Sequence, residues 1–283
     1  MWSLASTKNP AAVLKELQGV HDLLYPGGDA PFISQAFSWA RECFTGQHPG
    51  YQAVDAGYHD FEHTLQGAQC LLQLLRGRQL AGALPVLPER GFQLGLMAIL
   101  FHDTGYLKRS GDLSGTGAKY TITHVARSAA FAADFLLIRG FSPAEIQSVQ
   151  NMILSTGAVP ALGEIPFQSE SERVLGHALS TADLLGQMAA EDYVDKLPVL
   201  YAEFSEAVRF TGDTSHFISG YASAEQLIHA TPLFWKTHVL PRLDRDFGGL
   251  YRFLNHPFPD GPNPYLDRIE ANLTRLRAAG AAL

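Results

Sequence analysis

Between residues 58 and 77 the apolar positions Phe61, Leu65, Ala68, Leu72 and Leu75 recur every three or four residues, the spacing of one face of an α-helix. A second face of the same segment carries Gly67, Cys70 and Leu74, so the predicted helix is apolar on two sides and belongs in the interior. Start signals place further helices. Ser142-Pro143-Ala144-Glu145 sets a capping serine before a proline at the first helical position, with glutamate three residues after the serine. Ser169 with Glu172 and Ser223 with Gln226 repeat that spacing, Thr231-Pro232 and Asn263-Pro264 read as two more openings, and Gly140 closes the helix before it. Helices are predicted near 10–24, 31–45, 58–77, 89–104, 122–139, 143–155, 169–187, 191–210, 232–254 and 264–279, with Gly-, Pro- and Ser-rich loops at 105–120, 156–168, 211–222 and 255–263. Alternating strand patterns are missing. The fold class read from this pattern is all-α, and with no polar linker in sight residues 1–283 are expected to form a single domain.

Composition narrows the partners. With 46% hydrophobic residues the chain can build a large core. Its formal charge of −7 carries no basic face, which argues against nucleic acid as a partner. The longest apolar stretch, Leu94 to Phe101, is far short of the roughly 20 residues that span a bilayer, so no membrane partner is expected. Two cysteines, Cys43 and Cys70, cannot form a disulfide framework, and Met1 to Lys8 lacks the charged head and apolar run of a signal peptide. A cytoplasmic location is the expectation. One loop departs from the acidic average: from Thr104 to Phe131 stand Lys108, Arg109, Lys119 and Arg127 against Asp112 alone. Either these are ordinary solvated charges, or they form a mobile cover that attracts an anionic substrate.

Chemistry concentrates in three places. In Tyr58-His59-Asp60-Phe61-Glu62-His63 two histidines stand four apart, which on a helix projects them from one face. In Phe101-His102-Asp103-Thr104-Gly105 an apolar helix ends abruptly in adjacent histidine and aspartate, two metal-competent side chains at the edge of a dry interior. In Thr181-Ala182-Asp183-Leu184 an acid interrupts an apolar run, an environment in which a carboxylate is seldom buried unless paired or bound to a cation. Each fragment also has a plain structural reading: a satisfied core histidine, a local turn, an exposed helical face.

Taken in order, His63, His102-Asp103 and Asp183 resemble the H…HD…D signature of the HD-domain superfamily of metal-dependent phosphohydrolases. The surrounding words resemble the catalytic domain of class I cyclic-nucleotide phosphodiesterases. Tyr58-His59-Asp60-x-x-His63 is similar to that group's Tyr-His-Asn-x-x-His, and Phe101-His102-Asp103 to its Ile-His-Asp. Asn151-Met152-Ile153-Leu154-Ser155-Thr156 is similar to its Met-Val-Leu-Ala-Thr, and Thr181-Ala182-Asp183-Leu184 to its Cys-Ala-Asp-Leu. The resemblance covers about residues 55–190, an HD core flanked by helical extensions. His124, 22 residues past His102, resembles the third histidine of HD proteins that hold two metals. The fourth has no counterpart, since Gln147, Gln150 and Asn151 occupy its region, and Gln226 stands at the wrong spacing for a purine-clamping glutamine.

The resemblance implies a phosphohydrolase acting on a small-molecule phosphoester, a nucleotide or cyclic-nucleotide-like substrate. His63, His102, Asp103 and Asp183 are the implied ligands of a divalent transition metal (Mn, Fe, Co, Ni or Zn), with Asp103 able to bridge to a second ion such as Mg. His124 is assigned to that second ion or to phosphate. Metal-held hydroxide is the implied nucleophile and His59 the general acid for the departing oxygen, with Lys108, Arg109, Lys119 or Arg127 neutralising phosphate oxygens. Two other functions stay open: a di-iron oxygenase of HD type, and a regulatory module that binds nucleotide or metal without turnover.

Overall fold

The capping signals translate directly into helices. Asn9 accepts the Ala12 amide ahead of α1 (Pro10–Leu24), and α2 spans Ala30–Phe44. Asp60 accepts the His63 amide at the start of α3 (Phe61–Leu80), and α4 spans Glu89–Phe101. After α5 (His124–Leu137), Ser142 and Glu145 form the expected reciprocal capping box of α6 (Pro143–Leu154). Ser169 caps α7 (Glu170–Met188), which is followed by α8 (Tyr193–Thr211), α9 (Ala224–Phe234) and α10 (Pro264–Gly280). The structure is a computed structural model and describes residues 6–157, 162–212 and 217–280. Parts of the predicted loops at 156–168 and 211–222, and the first five residues read for a leader, lie outside the described residues. Among those described the protein is all-α: there is no strand, and one isolated antiparallel bridge joins Tyr51 to Arg109.

Two expectations change. The predicted helix 232–254 is not one element. Ser223 opens α9 earlier, and Pro232 lies inside that helix rather than at its start. The chain then runs through π-helical turns at Trp235–Val239 and Arg242–Asp246, then a 3-10 turn at Leu250–Leu254. Pro232 and Pro241 each withdraw an amide from the ladder, and the consecutive left-handed glycines Gly248 and Gly249 reverse the chain. The second change concerns α3, which begins at Phe61 and not at residue 58. Asp60 is an extended cap residue, so His59 precedes the helix and does not share a helical face with His63.

α3 is the axis of the molecule. Every residue from His63 to Leu75 is buried, with α7 packed along one side and α1 and α4 on others. Each fully buried leucine among Leu65, Leu71, Leu72, Leu74 and Leu75 contributes about 1.5–3 kcal/mol relative to exposure. One hydrophobic core takes side chains from all ten helices. Both cysteines are buried and unpaired within it, and burial pushes the Cys43 thiol up to about 12. Among the described residues no helix is long and apolar enough to cross a membrane.

The α3–α7 crossing is close because Gly186 lacks a side chain: a methyl group there would lie 2.7 Å from the Gln66 carbonyl oxygen. Gly186→Ala is expected to push the two helices apart and cost on the order of 1–3 kcal/mol. A urea unfolding midpoint unchanged from wild type would contradict this packing.

Candidate metal centre

Four elements deliver their side chains to one point beside that crossing. The Asp60 cap fixes the first turn of α3 through its bond to the His63 amide (2.8 Å). At the end of α4 the helix stops at Phe101, and His102 and Asp103 leave it directly into a 3-10 turn, Thr104–Tyr106. Asp183 comes from the middle of α7. His63, His102 and Asp103 are at most 3% exposed.

Their donor atoms alternate nitrogen and oxygen. His63 Nε2 lies 3.1 Å from Asp103 Oδ2 and 3.4 Å from Asp183 Oδ1. His102 Nε2 lies 3.3 Å and 3.4 Å from the same two oxygens. Ligands roughly 2.1 Å from a shared ion stand about 3.0 Å apart at a right angle and about 3.4 Å apart at a tetrahedral angle. The observed spacings fall in that interval.

Hydrogen bonding argues the same way. His102 Nδ1 lies 2.7 Å from the Ile99 carbonyl. A carbonyl only accepts, so Nδ1 holds the proton and Nε2 of the neutral ring presents a lone pair. His102 Nε2 and Asp103 Oδ2 are both fully enclosed and make no hydrogen bond. Lone pairs facing carboxylate oxygens repel unless a positive charge sits among them. The titration behaviour of the four groups expresses that demand. Burial alone would depress His63 and His102, but Asp103 and Asp183 outweigh it, pushing His63 up to about 10 and His102 upward as well. Burial likewise works to raise the two carboxylates, and the imidazoles outweigh it, holding both below the ordinary carboxylate range. The cluster favours a cation at its centre, and its mixed N/O donors suit a divalent transition metal. His63, His102 and Asp183 together, and His59, His63 and Asp103 together, bring donor atoms close enough to hold an ion.

Around the four stands a set of aligned rings. His59 stacks on Tyr106 (centroids 4.4 Å apart) and Tyr106 stacks on His124 (4.7 Å). His124 Nδ1 is anchored on the Thr121 carbonyl (2.6 Å), and its Nε2 lies 3.7 Å from Asp103 Oδ1, the oxygen not turned toward His63. Gly105 permits this approach, since any side chain there would collide with the His124 backbone. His59 Nδ1 is held at 2.6 Å by Glu203 Oε2 of α8, while Glu203 Oε1 accepts the Tyr58 amide at 2.6 Å. Burial works to raise the Glu203 carboxyl, but the His59 ring and the two amides outweigh it and keep it ionised. With Nδ1 taken, Nε2 is the His59 nitrogen left to face the cluster. Gln187, one turn beyond Asp183, donates to Asp183 Oδ1 (3.4 Å) and accepts from the Tyr58 hydroxyl (2.9 Å).

Glu203, Gln187 and Tyr106 are the residues that motif reading missed. Glu203 carries no local signal: it is an acid in an amphipathic helix some 140 positions from its partner. Gln187 had one, its i+4 spacing from Asp183.

The basic loop does something other than expected. Lys108 pairs with Asp55 (2.7 Å), and Lys119 with Asp112 (2.7 Å). Arg127 donates to the carbonyls of Gly105 and Leu107 (2.7 and 2.9 Å). Arg109 is exposed with its guanidinium over the Tyr51 ring. Three of the four cations are thus already held by Asp55, Asp112 and loop carbonyls, and among the described residues none of the four bonds to the His/Asp cluster. Asp55 and Glu206, supplied from outside the loop, accept the amides of Gly117 and Thr116 (2.7 and 2.5 Å), so the local positive excess is neutralised by the fold. Where a fourth histidine would stand, Asn151 donates to Glu172 and the Pro166 carbonyl, and Gln150 donates to the Ala129 carbonyl. Gln147 donates to Asn151. All three bind structural groups.

Over residues 35–251 the chain matches the Npun_R2479-like family. It belongs to that family. The family span contains every residue of the centre just described, from Tyr58 to Glu203, and leaves out α1 and α10. No curated protein matches the chain.

Proposed function

We propose that this member of the Npun_R2479-like family is a metal-dependent phosphohydrolase of HD type that cleaves a small phosphoester. The observation that carries the reading is the ring of four donor atoms, from His63, Asp103, His102 and Asp183, turned toward one another at 3.1–3.4 Å spacing. A divalent ion held there supplies Lewis acidity and makes coordinated water acidic near neutral pH. His124 with Asp103 Oδ1 offers an N/O pair for a second ion or a phosphate oxygen.

The chain's own groups do the rest. His59 is the general acid. Its Nδ1 is held by the ionised Glu203 carboxylate at 2.6 Å, which turns Nε2 toward an oxygen departing beside the cluster. Tyr106, flat against His59, fixes the plane of the ring, and His124 supports Tyr106 from behind. Gln187 fixes the Asp183 carboxylate. The enclosed setting of His63, His102 and Asp103 excludes bulk water, so the charges act at low effective dielectric.

The test is metal analysis of the purified protein, followed by phosphate-release assays with each supplied metal on cyclic nucleotides, nucleotides and generic diesters. Bound transition metal with metal-dependent release from one substrate class is the expected result. Metal-dependent dioxygen uptake without phosphate release would replace this reading with oxygenase chemistry. Tight nucleotide binding without product would replace it with a regulatory module.

A further inference from the structure

The last turn of α3 carries a buried cation, Arg78, roughly 22 Å along the helix from His63. Its side chain is 2% exposed. Both terminal nitrogens of the guanidinium, Nη1 and Nη2, are fully enclosed, and among the described residues neither has a hydrogen-bond partner. The contrast with the other buried lysine and arginine side chains is plain. Lys108 and Lys119 each have a carboxylate at 2.7 Å; Arg78 has none among the described residues.

The groups that act on it are used elsewhere. Burial draws Arg78 below the ordinary guanidinium range, with Glu170 and Tyr25 pulling the other way. Glu170, the first residue of α7, gives both oxygens to Arg173 (3.0 and 2.5 Å). The Tyr25 hydroxyl donates to the Leu87 carbonyl (3.1 Å). Arg78 and Arg173 against Glu170 thus leave one positive charge over. An enclosed charge without a counter-charge is among the costliest groups a fold can carry. A lysine can shed its proton in such a setting, but a guanidinium keeps its charge, and enclosed donors left unpaired point to a bound water or ion.

We infer that Arg78 is the base of a binding site for a small monovalent anion of halide size, held by Nη1 and Nη2. Charge selects an anion over water, since water satisfies the donors and leaves the charge unmatched. Enclosure selects a small one, because nitrogens with no accessible surface admit no bulky carboxylate or phosphate. The ion completes the charge balance where the end of α3 meets the first turn of α7, and so stabilises the packing of these two helices. The site is separate from the metal centre, and the inference does not depend on the phosphoester reading.

The experiment reads the full chain in the crystal and in solution. Crystals soaked in sodium bromide should show an anomalous peak at hydrogen-bonding distance from Arg78 Nη1 and Nη2. In solution, sodium chloride and sodium bromide should raise the melting temperature saturably, by about 2–4 °C, over sodium gluconate at equal ionic strength; gluconate is too large to enter. Arg78→Met should lose that halide increment, which separates a bound ion from a general salt effect. Should this variant fail to fold, the two wild-type measurements decide alone. A water molecule or no density in place of bromide at Arg78, equal melting temperatures in halide and gluconate, or a full halide increment in Arg78→Met would each overturn the inference.

Discussion

Asp103→Ala should abolish metal binding at the His/Asp cluster and, with it, the proposed phosphohydrolase activity. Asp103 is the one residue whose two oxygens face different sets of donors, Oδ2 toward His63 and His102 and Oδ1 toward His124. Loss of an outer-shell partner alone typically costs about 10–100-fold in metal affinity. Removing a ligand that also leaves Asp183 and two imidazoles facing an uncompensated cavity should cost more. Metal per protein after dialysis, read by elemental analysis, is the measurement; stoichiometric metal in the variant would remove Asp103 from the ligand set. Wild-type affinity should also depend on pH with a definite sign. The metal-free centre holds a proton on His63, whose pKa is pushed up to about 10. Metal entry displaces that proton, so affinity should tighten about tenfold per pH unit as pH rises through neutrality and level off near His63's own value. Protons released on metal addition in weak buffer provide an independent count.

His59→Ala separates turnover from metal retention. A positioned general acid contributes on the order of 10²–10⁴ in rate, so activity should fall by that factor with the metal still bound. Glu203→Gln should mimic most of the loss, since a neutral amide no longer holds the His59 ring through a charge-assisted hydrogen bond. Phosphoesters with good leaving groups need less protonation, so they should be spared relative to poor ones. If His59→Ala loses the metal, then His59 is a ligand through its close approach to His63 and Asp103, and the acid must be sought elsewhere. Turnover unmoved by Glu203→Gln would reduce Glu203 to a structural cap on the Tyr58 amide.

Much of this centre was legible in the residues alone. His102-Asp103 at the end of an apolar helix, and Asp183 inside another, were conspicuous because a charged group at a buried helical position has few stable fates. Helix boundaries followed from side-chain caps that act within three or four residues, as at Ser142, Ser169 and Ser223. Errors arose where local signals competed. Thr231-Pro232 looks like an opening, yet the Ser223 cap had already started that helix. His59 and His63 fit a helical spacing, yet the Asp60 side chain caps the helix between them.

The chain by itself determined the all-α class and most of the helices and made His102, Asp103 and Asp183 conspicuous, because periodicity, caps and buried charge are properties of short segments. Tertiary structure alone decided three things. It set the donors at 3.1–3.4 Å around one point, gave His59 its Glu203 partner from a helix over 140 residues away, and turned the basic loop inward onto Asp55, Asp112 and its own carbonyls. Each of those outcomes depends on electrostatic contact between side chains remote along the chain. Such contacts exist only after hydrophobic burial around α3 has fixed where the helices cross.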